Sequence, residues 1–238
     1  MAWALVDCRI SEKCERKLNT LGFYTVKLPP SPDLPTAISS HPDTLIFKIE
    51  NELFTSVTYC DQAAYIFSDL RENFPHLKIH FTSDIFGKTY PNDCPFNALM
   101  VGKKILGKSS SLSNKIKEYA ALYGYEIVNT NQGYPACTTL KISDSSFVSS
   151  DVGMIKKIEK CKVKVAKISN SNIILPPYEY GFIGGASGVY KDTVYFFGDI
   201  SRHCDAQKIE KAIMEENKKI VSLSDEDLQD LGGIIFID

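Results

Sequence analysis

The sequence has no run of about 18 apolar residues, the least a helix needs to cross a bilayer, so no membrane partner is expected. It has no C-x-x-C pair. The seven cysteines are odd in number and scattered, which argues against a disulfide framework and against a thiol-built metal site. Reduced thiols of this kind point to a cytoplasmic protein. No long basic run occurs and the formal net charge is only −2, so electrostatics do not favour nucleic acid. The opening MAWALVDCRI is apolar, but charged SEKCERK follows at once, leaving too short a stretch for the core of a secretion signal. No metal or cofactor is expected.

What is present is a globular composition. The 238 residues are 44% hydrophobic and 24% charged, enough to bury a large core, and we read residues 1–238 as one domain. One motif raises a question. Gly102 to Ser109 reads GKKILGKS and matches G-x-x-x-x-G-K-S/T, the phosphate-binding loop of nucleotide hydrolases. That loop wraps phosphates with its backbone N–H groups and must join a parallel strand to a helix. Ile105 and Leu106 suit such a loop poorly.

The repeat pattern answers the question. From Asp43, DTLIFKIENELFTS reads as a hairpin around Glu50-Asn51, DQAAYIFSDLRENF as a helix with Asp61 at its cap, and LKIHFTS as a strand. The same order returns three times. NALMVGKKILGK is followed by SLSNKIKEYAALYG and YEIVNT. TTLKI and FVSS are followed by DVGMIKKIEKC and KVKVAKI. SGVY and TVYFFG are followed by DAQKIEKAIMEEN and KIVSLS. LGGIIFID at the C-terminus and WALVDCRI, SEKCERKLNTLG and FYTVKL at the N-terminus supply the fifth set, with Ser11 as a helix cap and Gly22 past the helix end. Units this small bury their faces only against neighbours. The expected fold is an α/β five-bladed propeller of ββαβ repeats, its fifth unit closed by both termini. Gly102-Lys103 then becomes a hairpin turn; an open mixed sheet with helices is the alternative.

A fivefold ββαβ ring resembles the pentein fold of the guanidine-modifying enzymes. More closely, HPDTLIFKI from His41, YPNDCPFNALMVG from Tyr90, NQGYPAC from Asn131, GFIGGASGVY with FFGDISRH from Gly181, and LSDEDLQDLGGIIFI resemble an uncharacterised bacterial family of that fold. The superfamily includes arginine and agmatine deiminases, dimethylarginine hydrolases, amidinotransferases and a non-enzymatic ribosome anti-association factor. The resemblance implies an active site in the axial channel, where a Cys thiolate attacks a guanidinium carbon, a His serves as acid and base, and carboxylates hold the guanidinium nitrogens. The sequence departs from the deiminase pattern: Gly232-Gly233 is followed by Ile234, not Cys, and Gly184-Gly185 by Ala-Ser-Gly.

The expected catalytic set is Cys137, His203 and Asp205. Cys137 starts the first strand of its unit; its bland reading is a small buried thiol. His203 and Asp205 form an H-x-D that resembles the deiminase pair, although Asp205 also suits the cap of the helix after it. A thiolate beside an imidazolium would have a lowered pKa. Cys204 is the runner-up thiol. The expected substrate-binding residues are Asp43, Asn97 and Gln132 at unit starts, Gly184 and Gly185, and Asp199, which is a channel carboxylate or the polar end of YFFGD. Turn hydrogen bonding or relief of crowding explains each of these equally well. Two functions stay open: a hydrolase or transferase acting on a guanidino or amidine compound, and a non-catalytic binding module that has lost the C-terminal nucleophile. The expected partner is a small molecule, cationic if acids line the channel, and a protein partner is left open.

Overall fold

The computed structural model describes residues 1–238. Five three-stranded sheets carry the chain. In the first unit, Phe47–Ile49 pairs antiparallel with Glu52–Ser56, which pairs parallel with Lys78–Thr82. The second unit repeats this with Leu99–Val101, Lys104–Gly107 and Glu126–Asn129. The third uses Thr139–Lys141, Ser146–Ser149 and Lys164–Lys167, and the fourth Ser187–Tyr190, Thr193–Phe196 and Lys219–Ser222. The fifth is assembled from both ends of the chain. Ile235–Ile237 pairs antiparallel with Trp3–Asp7, with Trp3 opposite Ile237, and Trp3–Asp7 pairs parallel with Tyr24–Leu28.

Each parallel pair needs a crossover, and helices supply it: Ala64–Asn73, Asn114–Tyr123, Val152–Lys160, Ala206–Glu215 and Glu12–Thr20. Their caps follow local chemistry. Ser11, Ser113 and Asp151 accept backbone N–H groups of the first helical turns. Gly124 ends its helix in the left-handed region, φ 72°. One expected cap moves. Asp61 lies inside a helix, Val57–Gln62, that starts directly after the strand, and Ala63 separates it from Ala64–Asn73.

The apolar clusters lie between units. The largest, 27 buried residues, joins the fifth, first and second units and includes Leu5, Phe54, Phe67 and Ile105. Others join the second to the third through Leu106 and Phe147, the third to the fourth through Val148 and Phe196, and the fourth to the fifth through Tyr195 and Phe236. No unit owns a private core, as expected for repeats too small to bury both faces alone. One short pairing lies outside the repeats: Ile173–Ile174 runs parallel with Leu228–Gln229.

The GKKILGKS stretch is resolved by this frame. Gly102 has φ 56° and turns the hairpin; Ile105 and Leu106 are fully buried strand residues. Lys108 donates to the Asn131 carbonyl at 3.0 Å, and Ser109 bonds Asn129. The residues that would form the phosphate cradle, Lys104 to Gly107, are themselves the strand.

Candidate functional site

Asn97, Cys137, Gly185 and Gly233 each stand two residues ahead of the first strand of a unit, which begins at Leu99, Thr139, Ser187 and Ile235. These starts touch one another. Asn97 Oδ1 accepts Ala136 N–H at 2.9 Å, and Gly185 N–H donates to the Cys137 carbonyl at 2.9 Å. Gly233 N–H donates to the Gly185 carbonyl at 2.8 Å, and Asp43 N–H to the Gly232 carbonyl at 3.0 Å. The approach is close enough to demand glycine. A Cβ on Gly184 would lie 2.1 Å from the Ala136 carbonyl oxygen, and one on Gly185 would lie 1.9 Å from Asp230 Oδ1.

The side chains at this meeting point are polar and buried. Cys137 Sγ donates to Asp230 Oδ2 at 3.2 Å. Asp230 also accepts Phe182 N–H at 2.9 Å and Gly232 N–H at 3.1 Å. His41 lies between two carboxylates, with Nδ1 3.9 Å from Asp230 and Nε2 3.9 Å from Asp7. These distances are too long for hydrogen bonds, and both ring nitrogens are buried without a partner. Asp43 Oδ2 and Asn97 Nδ2 are unpartnered too. Asp7 is anchored by Arg9 through Nε at 2.9 Å and Nη2 at 2.6 Å, whereas neither Asp230 nor Asp43 has a Lys or Arg within 4 Å.

Burial governs the ionisation of the cluster. It pushes the Cys137 thiol well above its ordinary value of 9.0, and the nearby carboxylates Asp230 and Asp43 push the same way. Asp43 is likewise driven well above 3.8 by burial and by Asp230. His41 is held below 6.5 by burial, against the opposing pull of Asp230 and Asp7. Asp7 is lowered: burial raises it, but the Arg9 hydrogen bonds and His41 outweigh that. The lowered thiol pKa expected of a thiolate–imidazolium pair is therefore reversed, because the thiol is buried and faces carboxylates.

Two cavities flank the cluster. One, of about 1030 Å³, is lined by first strands and turns of all five units and reaches Asp43, Ala136, Gly184 and Gly232. The other, of about 550 Å³, reaches His41 and Cys137 and is walled by Tyr90, Tyr134, Tyr178 and Tyr180. In that second cavity Tyr134 Oη donates to Asp93 Oδ2 at 2.6 Å, while the buried Asp93 Oδ1 has no partner.

The structure sorts the expected residues. Cys137, Asp43, Asn97, Gly184 and Gly185 meet at the cluster. His203 and Asp205 form a separate group with Cys204. His203 Nδ1 accepts Asp205 N–H at 3.0 Å, so its contact is local and not with Cys137. Asp205 makes no side-chain cap. It binds Ser169 N–H at 2.8 Å and Lys208 Nζ at 2.6 Å, and Lys208 holds its carboxyl down at about 2. Asp199 caps the turn Ile200–Arg202 by accepting Ser201 N–H. Gln132 spends its amide on Tyr134 N–H and Thr138 Oγ1. Sequence reasoning missed His41 as a site histidine, and missed Asp7 and Asp230 entirely. Asp230 had one signal: it directly precedes Leu231-Gly232-Gly233, a Gly-Gly pair followed by Ile234 and not by Cys.

Comparison with known proteins places this geometry in a family. Residues 5–235 match DUF6873, a family of unknown function. The chain belongs to that family. No curated protein matches it. Among solved structures, DDAH from Pseudomonas aeruginosa, a Cys-to-Ser mutant complexed with citrulline, superposes with a TM-score of 0.59. It is 10% identical, with 94% of this chain and 91% of that chain covered. Agmatine deiminase from C. jejuni gives 0.57 at 10% identity, over 94% and 86%. SxtG, an amidinotransferase from Microseira wollei, gives 0.55 at 13% identity, over 88% and 72%. The DUF6873 chain thus has a mixed α/β fold of the pentein type.

Proposed function

We propose that the five sheets are the blades of an α/β propeller closed by the two termini, and that the polar cluster on its axis binds a small guanidino or amidine cation on which Cys137 and His41 act. The unit-to-unit order of the apolar clusters and the contacts among unit starts support the ring. The observation that carries the functional reading is Asp230: a carboxylate 1% exposed, with no Lys or Arg partner, beside a second acid, the half-buried Asp43, that also lacks one. Buried unpaired acids favour a cation that supplies several N–H donors, and a planar guanidinium does so in paired geometry. In this arrangement Asp230 and Asp43 grip the cation, and Cys137, its thiol proton passing to His41, is the nucleophile at its carbon. His41, between Asp230 and Asp7, carries the proton to the leaving amine. The scattered free thiols and the lack of any helix able to cross a membrane fit a cytoplasmic protein.

A second reading, a binding module without turnover, is favoured by one observation: Cys137 is held as a thiol that donates to Asp230. The test is a panel of arginine, agmatine and methylguanidine, read by thermal shift and by release of ammonia or amine. Binding should be lost in Asp230→Asn, since a charge-assisted contact is worth about 1.5–3 kcal/mol, or roughly 10- to 150-fold in affinity. Turnover abolished in Cys137→Ser supports the enzyme. Binding without turnover in the unaltered chain supports the module. No binding by any cation of the panel removes both readings.

A further inference from the structure

The His41–Cys137–Asp230 group has a property the guanidino reading does not use. One donor atom from each residue lies within 4.8 Å of the other two. Measured to one oxygen, Asp230 Oδ1, two of the separations are 3.6 Å from Cys137 Sγ and 3.9 Å from His41 Nδ1. Zinc held by one sulfur, one nitrogen and one oxygen at ordinary bond lengths, in tetrahedral geometry, needs donor separations of about 3.4–3.6 Å. The two observed separations lie at the top of that range and 0.3 Å above it, so a bound ion would draw the three side chains inward.

A second observation points to a ligand here. His41 is 0% exposed, yet neither ring nitrogen has a hydrogen-bond partner. Buried polar atoms are rarely left so. Its Nδ1 faces the same carboxylate that receives the thiol. His41 and Cys137 also line the tyrosine-walled cavity, which supplies an entry path.

We propose that His41, Cys137 and Asp230 form a site for a borderline divalent transition ion of the Zn²⁺ or Co²⁺ class. The mixed nitrogen, sulfur and oxygen set selects against Mg²⁺ and Ca²⁺, which take oxygen shells. As the metal–sulfur bond forms, the thiol proton leaves to solvent; the thiolate and the Asp230 carboxylate then offset the two positive charges. Metal binding masks the Cys137 sulfur and occupies Asp230, so a loaded site excludes a guanidino cation and any thiol chemistry upon it. The inference stands on the geometry alone and does not require the guanidino reading.

The experiment uses the full chain, stripped with a chelator and reloaded with Zn²⁺ or Co²⁺ alone. The expected result is one ion per chain and, with Co²⁺, a near-ultraviolet thiolate-to-cobalt charge-transfer band. Cys137→Ser should abolish the band, and His41→Ala should weaken binding by about 100-fold or more, at least the loss seen on removing an outer-shell partner. Cys204→Ser, in the separate His203–Cys204–Asp205 group, should leave the band unchanged. If Cys137→Ser fails to fold, the unaltered chain still decides: Zn²⁺ should protect Cys137 from alkylation, read by peptide mapping. Substoichiometric metal with no band overturns the proposal, as does a band lost in Cys204→Ser but kept in Cys137→Ser, or Cys137 alkylation indifferent to Zn²⁺. A chain that binds methylguanidine but no metal overturns this inference alone; a chain that binds metal but no guanidino compound overturns only the earlier reading.

Discussion

Gly184→Ala is the sharpest test of how the units meet. The added methyl carbon would lie 2.1 Å from the Ala136 carbonyl oxygen and 2.7 Å from those of Cys137 and Thr139. Carbon–oxygen contacts normally sit at about 3.3 Å or more, so the overlap with Ala136 exceeds 1 Å. All three oxygens belong to the backbone and cannot swing aside as a side-chain tip would. Overpacking costs about 1–3 kcal/mol, occasionally more, and rigid neighbours place this case near 3. For a chain of this size each kcal/mol lowers Tm by about 2–4 °C, giving a fall of about 6–12 °C. Gly102→Ala is the control. Its methyl meets nothing within 4 Å, but φ is +56°, so only left-handed strain of about 1–2 kcal/mol applies. Thermal unfolding followed by circular dichroism should rank Gly184→Ala clearly below Gly102→Ala. A Gly184→Ala chain with the native Tm, or one milder than Gly102→Ala, would refute the close approach of the third and fourth units.

Three further outcomes follow. Lys108→Ala should cost less than about 1 kcal/mol, as exposed substitutions do, and neither ATP nor GTP should shift the Tm of the unaltered chain; micromolar nucleotide binding lost in the mutant would restore the phosphate-loop reading. Removing Gly232 to Asp238 takes away the strand paired with Trp3–Asp7 and exposes apolar edge, so the truncated chain should unfold or aggregate, and a native melting curve would contradict the pairing. Asp7 has a folded pKa below its ordinary 3.8, so its contribution is present above about pH 4 and is lost as pH falls through the lower folded value. Asp7→Asn should therefore be destabilised at neutral pH and lose less stability than the unaltered chain as pH falls below about 4; parallel acid unfolding curves would count against the Asp7–Arg9 pair.

The repeat was legible because it is written in local terms. The alternation of FKI and ELFTS, the helical spacing in KIKEYAALY and the turn residues at Glu50, Gly102 and Lys191 each depend on a few neighbours in the chain. Four copies plus a split fifth then predicted that Ile235–Ile237 would join Trp3–Asp7, which the register of Trp3 with Ile237 bears out. The same regularity demoted GKKILGKS to a hairpin. Cys137, Asn97 and Gly185 meet in space because equivalent positions in a repeat recur there. What the chain could not disclose was which side chains from different units would face each other. His203 and Asp205 stand two residues apart and bond locally, Asp205 N–H to His203 Nδ1 and Ser169 N–H to Asp205, so their proximity carried no information about Cys137. His41, Asp7 and Asp230 lie in three separate segments; only the packing of the fifth unit against the first puts two carboxylates on either side of one ring. The ionisation of Cys137 is likewise a tertiary quantity: a free thiol in sequence becomes a thiol held protonated, because folding removes its water and sets Asp230 and Asp43 beside it.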